Sequence, residues 1–579
     1  MSSATSAAET PASAQASSAA AETASPGGPL FTHRQILLVL SGLMSGMLLA
    51  ALDMTIVSTS IRTIADDLNG LSLQAWATTA YLITSTIATP LYGKLSDLYG
   101  RRPFFIAAIS IFIAGSALSA AATSMYMLAV FRAIQGIGAG GLFSLALAII
   151  GDMVPPRQRA KYQGYFLAVF GTSSVAGPLV GGFFAGQSTL LGITGWRWVF
   201  LVNVPIGLIA LTIVARVLHL PHRRRNHRID YLGALALSVA LVPLLLVAEQ
   251  GREWGWGSTG SITCYLIGVV GVVLFMLAER RIGDDALLPL RLFRGKTFSI
   301  GSVLNFLIGM GMFGGMAALP LYLQIVKGHT PTEAGLLLLP MMLGVMSGSV
   351  ISGQFTARTG RYKAFPVSGA VLLVLGMGLL SRITVDSSML SIDLYALIFG
   401  LGLGFNMQTL VMAVQNAVPP QDMGVATGSA TFFRQMGGTL GTAVFLSVLF
   451  STVGDRIADA IRAASGTASF RTALQDPAVL ANPANRSVVE MIQSHGSTLA
   501  GGTINDSSFI SQLDPRLARP FLVGFADSIQ SVFLLGAGVL AIALVVVLFL
   551  PEEKLRTQSG IEARQAQEDA ATAAAAAAV

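Results

Sequence analysis

Two charged side chains stand inside long apolar stretches of this chain: Asp53 in LLAALDMTIV and Arg132 in LAVFRAIQGI. A carboxylate that is desolvated at one moment and beside a guanidinium at the next takes up a proton in one setting and gives it up in the other. Gln135, three residues beyond Arg132, falls on the same face of a helix. A second charged group is compact. GKLSDLYGRR, Gly93 to Arg102, places Asp97 among Lys94, Arg101 and Arg102, and Gly93 and Gly100 allow the backbone to come close to a neighbour. Further polar residues interrupt apolar runs at Asn305, Gln324, Asn406, Gln408, Gln415 and Arg434. Each also has a structural reading, as an ion pair, a helix-end contact or a bond between packed helices.

The elements that carry these residues are membrane helices. The chain is 53% hydrophobic and 11% charged, whereas soluble domains carry about a quarter charged residues. Mean hydropathy is +0.68. A net charge of +7 raises the question of nucleic acid. The bases fall in short turns between apolar runs, however, where positive charge sets topology, so no nucleic-acid partner is expected. Cys264 is the only cysteine, which rules out an intrachain disulfide. Residues 1–30 are Ala/Ser/Thr-rich without Lys or Arg, a composition read as a disordered tail and not a secretory signal.

A crossing helix needs about 20 apolar residues. The sequence offers about fourteen such runs, from near 36–60 to near 527–550. Alternate turns hold the bases: Lys94/Arg101/Arg102, Arg157/Arg159/Lys161, Arg223 to Arg228, Arg280 to Lys296, and Arg358/Arg361/Lys363. The positive-inside rule then predicts cytoplasmic termini and places the polar segment at about 451–526 outside, as a small cap or a mobile loop. Within this frame Asp53 and Arg132 each fall roughly 7 Å beyond their spans' midpoints on the outer side, so an ion pair is possible.

The chain repeats itself. Val154-Pro155-Pro156 matches Val418-Pro419-Pro420 at an offset of 418 − 154 = 264. At that offset Gly136, Gly138, Gly140, Gly164 and Gly177 fall on Gly400, Gly402, Gly404, Gly428 and Gly441. The charged turn recurs as GQFTARTGR, 353 − 93 = 260 residues on, with Ala357 in the place of Asp97. Arg434 falls on Phe170, so the repeat does not account for it. This predicts a 6 + 2 + 6 plan: tail 1–30, a six-helix bundle at 31–220, a basic linker with two extra helices at 221–296, a second bundle at 297–550 that includes the outer segment, and a tail at 551–579. Bundles built from repeats with a cavity between them are how secondary transporters alternate access.

These residues carry a family signature. GKLSDLYGRR, RAIQGIGAGG (Arg132 to Gly141), GTSSVAGPLVGG (Gly171 to Gly182), LDMTIV and WRWVFLVNVPIG together resemble the major facilitator superfamily, and within it the 14-span drug:proton antiporters. One departure is Ile61-Arg62-Thr63, where an Ala-Leu-Pro ending is usual. The resemblance implies an all-α polytopic membrane protein of the major facilitator fold, acting as a monomer without a cofactor. It implies exchange of protons for drugs or other amphipathic or cationic small molecules across the cytoplasmic membrane. Asp53 and Arg132 would couple protons. Gln135, Asn305, Gln324, Asn406, Gln408 and Arg434 would line the substrate path. Gly93, Asp97, Gly100, Arg101, Arg102 and Asp152 would gate. Gly171, Gly177, Pro178, Gly181 and Gly182 would form the antiporter packing motif. The alternative within the same scaffold is export of a lipid or a self-made secondary metabolite, with 451–526 receiving cargo. An enzyme is not expected. Gly295-Lys296-Thr297 resembles the end of a phosphate loop, but Leu290 stands where its first glycine is required.

Overall fold

The computed structural model describes residues 32–70, 73–219, 230–483, 485–486, 488–490, 510 and 512–577. The first tail through residue 31 and the basic run Arg223 to Arg228 lie outside the described residues. The first half comprises α1 (His33–Asp67), α2 (Gln74–Tyr99), α3 (Arg101–Ala120), α4 (Met125–Met153), α5 (Pro156–Ala185) and α6 (Asn203–Val217). Two further helices follow, α7 (Tyr231–Trp254) and α8 (Thr259–Ile282). The second half comprises α9 (Lys296–Leu321), α10 (Leu339–Thr359), α11 (Ala364–Leu380), α12 (Met389–Asn416), α13 (Met423–Ser465) and α14 (Pro515–Leu548). A tail helix, α15 (Gly560–Ala577), ends the described chain. Among the described residues eleven helical stretches are long and apolar enough to span a bilayer. Shorter α11 and the Ser/Thr/Gly-richer α2 and α5 complete the fourteen.

Local chemistry starts the helices where the sequence allows. Ser124 caps α4 by accepting from the Met127 amide, and Ser388 caps α12 by accepting from Ser391, at the same offset of 264. Thr330 and Glu333 form a reciprocal capping box just before α10. Pro320 lacks a backbone donor, and the ladder beyond it loosens into a π-turn at Tyr322–Val326 that carries Gln324.

Glycine sets how closely the helices cross, and the two halves repeat these crossings. A Cβ on Gly115 of α3 would stand 2.6 Å from the Gln135 amide nitrogen; one on Gly376 of α11 would stand 2.7 Å from that of Phe399. A Cβ on Gly138 would stand 2.6 Å from the Ala108 carbonyl oxygen, and one on Gly402 would stand 2.8 Å from that of Gly369. Gly136 abuts Tyr81 as Gly400 abuts Met341. Each pairing maps onto its partner by 260 to 264 residues, the offsets seen in the sequence.

α7 lies along the seam between the halves. Its Leu237, Leu241 and Leu245 pack with Ile83 of α2 and Phe432 of α13. Beyond the bilayer end of α13, the segment expected as a cap or mobile loop is largely helical where described. α13 continues to Ser465, helices follow at Ala468–Gln475 and Pro477–Leu480, and α14 begins at Pro515, not near 527. Phe470, Ala473 and Val479 join Leu513 and Leu517 in the second half's core.

Candidate functional site

Asp53 of α1 is completely buried and is met by donors from other helices. The Arg132 guanidinium donates to Oδ2 at 2.5 Å. Gln135 Nε2 donates to Oδ1 at 2.9 Å, and Asn203 Nδ2, from the start of α6, donates to the same oxygen at 2.8 Å. Gln135 Oε1 also accepts from Arg132 at 2.8 Å, so Gln135 ties both charges together. Ser116 Oγ of α3 accepts from Gln135 and Asn203 and donates to the Phe200 carbonyl. The Arg132 guanidinium lies over the Tyr81 ring, 4.1 Å from its centroid. A charge at a helix centre costs at least about 2.5–3.5 kcal/mol. The mutual bonds of these side chains and the Tyr81 ring face offset that cost.

Matched depth suggests the Asp53–Arg132 pair from sequence alone, but Asn203, Ser116 and Tyr81 complete it. Asn203 sits within WRWVFLVNVPIG, where the one amide among apolar residues is the available signal. Three atoms in this group lack a partner among the described residues: Arg132 Nε, Asn203 Oδ1 and the Tyr81 hydroxyl.

At the basic end of the bundle a second network joins the halves. Asp97 Oδ1 accepts from the Gly424 amide at 3.1 Å and Oδ2 from Val425 at 2.8 Å, at the first turn of α13, where backbone donors are free and negative charge is stabilised. Arg101 pairs with Asp97 at 2.5 Å and with Asp152 at 2.8 Å, and all three are buried. Gly93 lets α2 approach α13: a Cβ there would stand 2.6 Å from the Gly424 carbonyl oxygen. Gly100, at φ +99°, makes the turn between α2 and α3 in a conformation that favours glycine. Arg102 departs from expectation. Its Nη2 donates to the Ala215 carbonyl at 2.6 Å, because consecutive helical residues point about 100° apart and only Arg101 faces the acids.

The tail adds contacts for which the sequence carries no local sign. Arg564 pairs with Asp152, and Arg556 donates to the Val418 carbonyl at 2.8 Å. Asn416 bridges the Lys554 carbonyl and the Arg556 amide. The Tyr362 hydroxyl donates to the Pro551 carbonyl at 3.0 Å, and burial pushes its phenol up to about 12, keeping it a donor. Arg159 of α5 donates to the Gln415 side chain of α12. The segment from 551 to 564 thus touches both halves where they close.

The remaining expected residues scatter. The Asn305 and Asn406 amides donate to carbonyls one turn back on their own helices, Gly301 and Gly402. Gln408 borders a small cavity with Pro156, Gly353 and Thr356 at the basic end. Gln324 and Arg434 are half-buried. In α5, which continues through Pro178, Gly177 and Gly181 pack on Thr55 and Thr59 of α1. Among the described residues nothing lies within 4 Å of a Cβ position on Gly171 or Gly182, so neither packs there as Gly177 and Gly181 do. Only the i, i+4 pair shares the α1 face.

Known proteins are similar to this chain over most of its length. The model of the Major Facilitator Superfamily matches residues 43–442. The multidrug transporter protein MdtP of Bacillus subtilis (strain 168) is 34% identical over 541 residues, covering 93% of this chain and 96% of that protein. Multidrug resistance protein 3 of the same organism is 33% identical over 90% of this chain and 96% of its own length. Among solved structures, the proton:xylose symporter XylE superposes with a TM-score of 0.55 at 16% identity, covering 92% of this chain and 99% of that one. The last likeness concerns the fold.

Proposed function

The chain belongs to the Major Facilitator Superfamily, and from that membership we propose that it exports amphipathic small molecules in exchange for protons, by alternating access. It is a multi-pass membrane transporter of the multidrug efflux type and not an enzyme. The observation that carries the coupling is the buried Asp53, whose partners Arg132, Gln135 and Asn203 are all donors. A proton arriving at Asp53 removes the negative charge that holds Arg132 and breaks the tie among α1, α4 and α6. Released Arg132 and Gln135 then repack, and the bundle tilts. A proton leaving on the other side restores the cluster.

The basic end faces the cytoplasm in this reading, as the distribution of Lys and Arg requires, and the termini lie there too. The membrane is the plasma membrane, and the working unit is one chain. Gly93, Asp97, Arg101 and Asp152 hold the cytoplasmic side shut, supported by Gly100 at the turn and by Arg564 from the tail. Arg102 anchors the start of α3. Inward opening breaks the Asp97 contact to the α13 amides. Gly177 and Gly181 keep α5 close on α1 while it tilts.

Reconstituted vesicles with an imposed pH gradient test this reading. Net accumulation of a dye only while the gradient lasts, absent in Asp53→Asn, is the expected result. Gradient-independent leakage, or full exchange by that variant, overturns the coupling. Movement of lipid analogues in place of dyes favours the lipid-export alternative.

A further inference from the structure

The sealed state of Asp53 raises the question of which charge meets the cargo. Asp53 is completely buried and fully engaged by donors, so a charge on a substrate lodged between the halves faces some other side chain. Arg434 of α13 is placed for that. It lies eleven residues past Met423, where α13 begins, about 16 Å along the helix and so near the middle of a bilayer core of about 30 Å.

Its direction follows from its neighbours on the helix. Gly437 and Gly441, roughly 60° and 20° to one side of Arg434 around the helix, pack on Phe306 and Met310 of α9. Gln435 and Gly428, roughly 100° and 120° to the other side, meet Thr89 and Gly93 of α2, with a hydrogen bond of 3.2 Å from the Thr89 hydroxyl to Gln435. Arg434 therefore points into the wedge between α9 of one half and α2 of the other. Among the described residues it makes no hydrogen bond or ion pair, unlike Arg132, Arg101 and Arg159. Thr431, one turn back on the same face, is 1% exposed, and its hydroxyl has no partner either.

We infer that Arg434, with Thr431 beside it, receives a negatively charged oxygen group of the cargo, so that the exported class includes amphipathic carboxylates and zwitterions. A guanidinium left without an anion near the bilayer centre is costly, and its planar fork matches a carboxylate. The inference rests on the export reading above and names the part of the substrate that the wedge recognises.

Two rhodamines separate the possibilities: one with a free benzoate and its methyl ester, which differ by that single negative charge. The full chain is reconstituted, and gradient-driven movement of each dye is followed for wild type, Arg434→Ala, Arg434→Lys and Thr431→Val. Wild type is expected to move both. Loss of a charge-assisted bond should raise KM for the free acid at least about tenfold in Arg434→Ala, with the ester within about twofold. Arg434→Lys should restore much of the acid's affinity, and Thr431→Val should weaken the acid alone by a smaller factor. Should the alanine variant not fold, binding of both dyes to purified Arg434→Gln, which keeps a long polar side chain but no charge, gives the same comparison by fluorescence polarisation. Equal losses for acid and ester, or an acid unaffected by Arg434→Ala, would overturn the inference. So would a wild type that moves only the ester, which leaves export standing. A wild type that moves neither dye under any gradient overturns the export reading as well.

Discussion

The two halves make the same helix crossing and fill it with opposite chemistry. Gly115 brings α3 against Gln135, and Gly376 brings α11 against Phe399, at the repeat offsets 376 − 115 = 261 and 399 − 135 = 264. In the first half Arg132, Gln135, Ser116 and Tyr81 surround Asp53. Their counterparts, at offsets of 264, 264, 261 and 260, are Ala396, Phe399, Met377 and Met341, each 1% exposed or less. Backbone approach is therefore a property of the glycines, and the side chains supplied to it decide the rest. At this crossing one half is a packed apolar core, and the other carries a polar lock. Asymmetry of this kind suits a machine in which one half senses the proton and the other holds cargo.

The largest predicted effect breaks the polar lock. Asp53→Asn preserves volume but removes the charge, and pH-driven efflux should fall below detection, while gradient-independent exchange of labelled for unlabelled dye persists. The matched change on the other side, Phe399→Leu, should cost less than about 3 kcal/mol of stability in thermal unfolding and leave coupling intact. If both variants lose coupling equally, the difference between the halves carries no functional meaning.

The next effect concerns closure. Gly424→Val sets a side chain where even a Cβ would lie 2.5 Å from the Gly93 carbonyl oxygen and 2.6 Å from Asp97 Oδ2. α2 and α13 must then part, and transport should drop by most of its rate, with a stability loss of about 1–3 kcal/mol. Arg564→Ala is milder, since Arg101 still holds Asp152. Loss of one partly exposed pair of about 1 kcal/mol shifts the closed-to-open ratio roughly fivefold, visible as faster dye uptake from the cytoplasmic side and slower net export. An unchanged rate would remove the tail from the gate.

Much of this architecture is legible in the amino-acid sequence, for physical reasons. Membrane spans follow from length and hydropathy, and the repeat from glycine spacing, because glycines mark where backbones touch. The depth of Asp53 and Arg132 follows from counting along two antiparallel helices. What sequence cannot supply is rotation about each helix. Ser116 and Asn203 are short polar residues of kinds that also bond their own helix, as Asn305 and Asn406 do, and nothing local separates the two cases. The partners of Arg101 and Arg102 diverge for the same reason. The tail's docking depends on Arg564 meeting an acid more than 400 residues away, a contact without local periodicity.

The smallest predicted effect asks why only one half has an acid in its charged turn. Ala357 stands where Asp97 stands in the other copy. By the offset of 264, the counterparts of the Gly424 and Val425 amides belong to residues 160 and 161. α13 begins at Met423 after a 3-10 turn at Pro420–Asp422, so its amides at 424 and 425 are in the first turn and free to bind Asp97. α5 begins at Pro156, four residues before position 160, so the amides there already belong to the helix's own ladder. An acid at 357 would find no such free amides at the start of α5. Ala357→Asp should therefore leave the transport rate within about twofold and raise the unfolding temperature not at all, because a carboxylate without donors gains nothing from burial. A variant that transports markedly slower while unfolding at a higher temperature would show that α5 offers free amides after all. The difference between the two gates would then lie in the missing acid itself and not in where the helix starts.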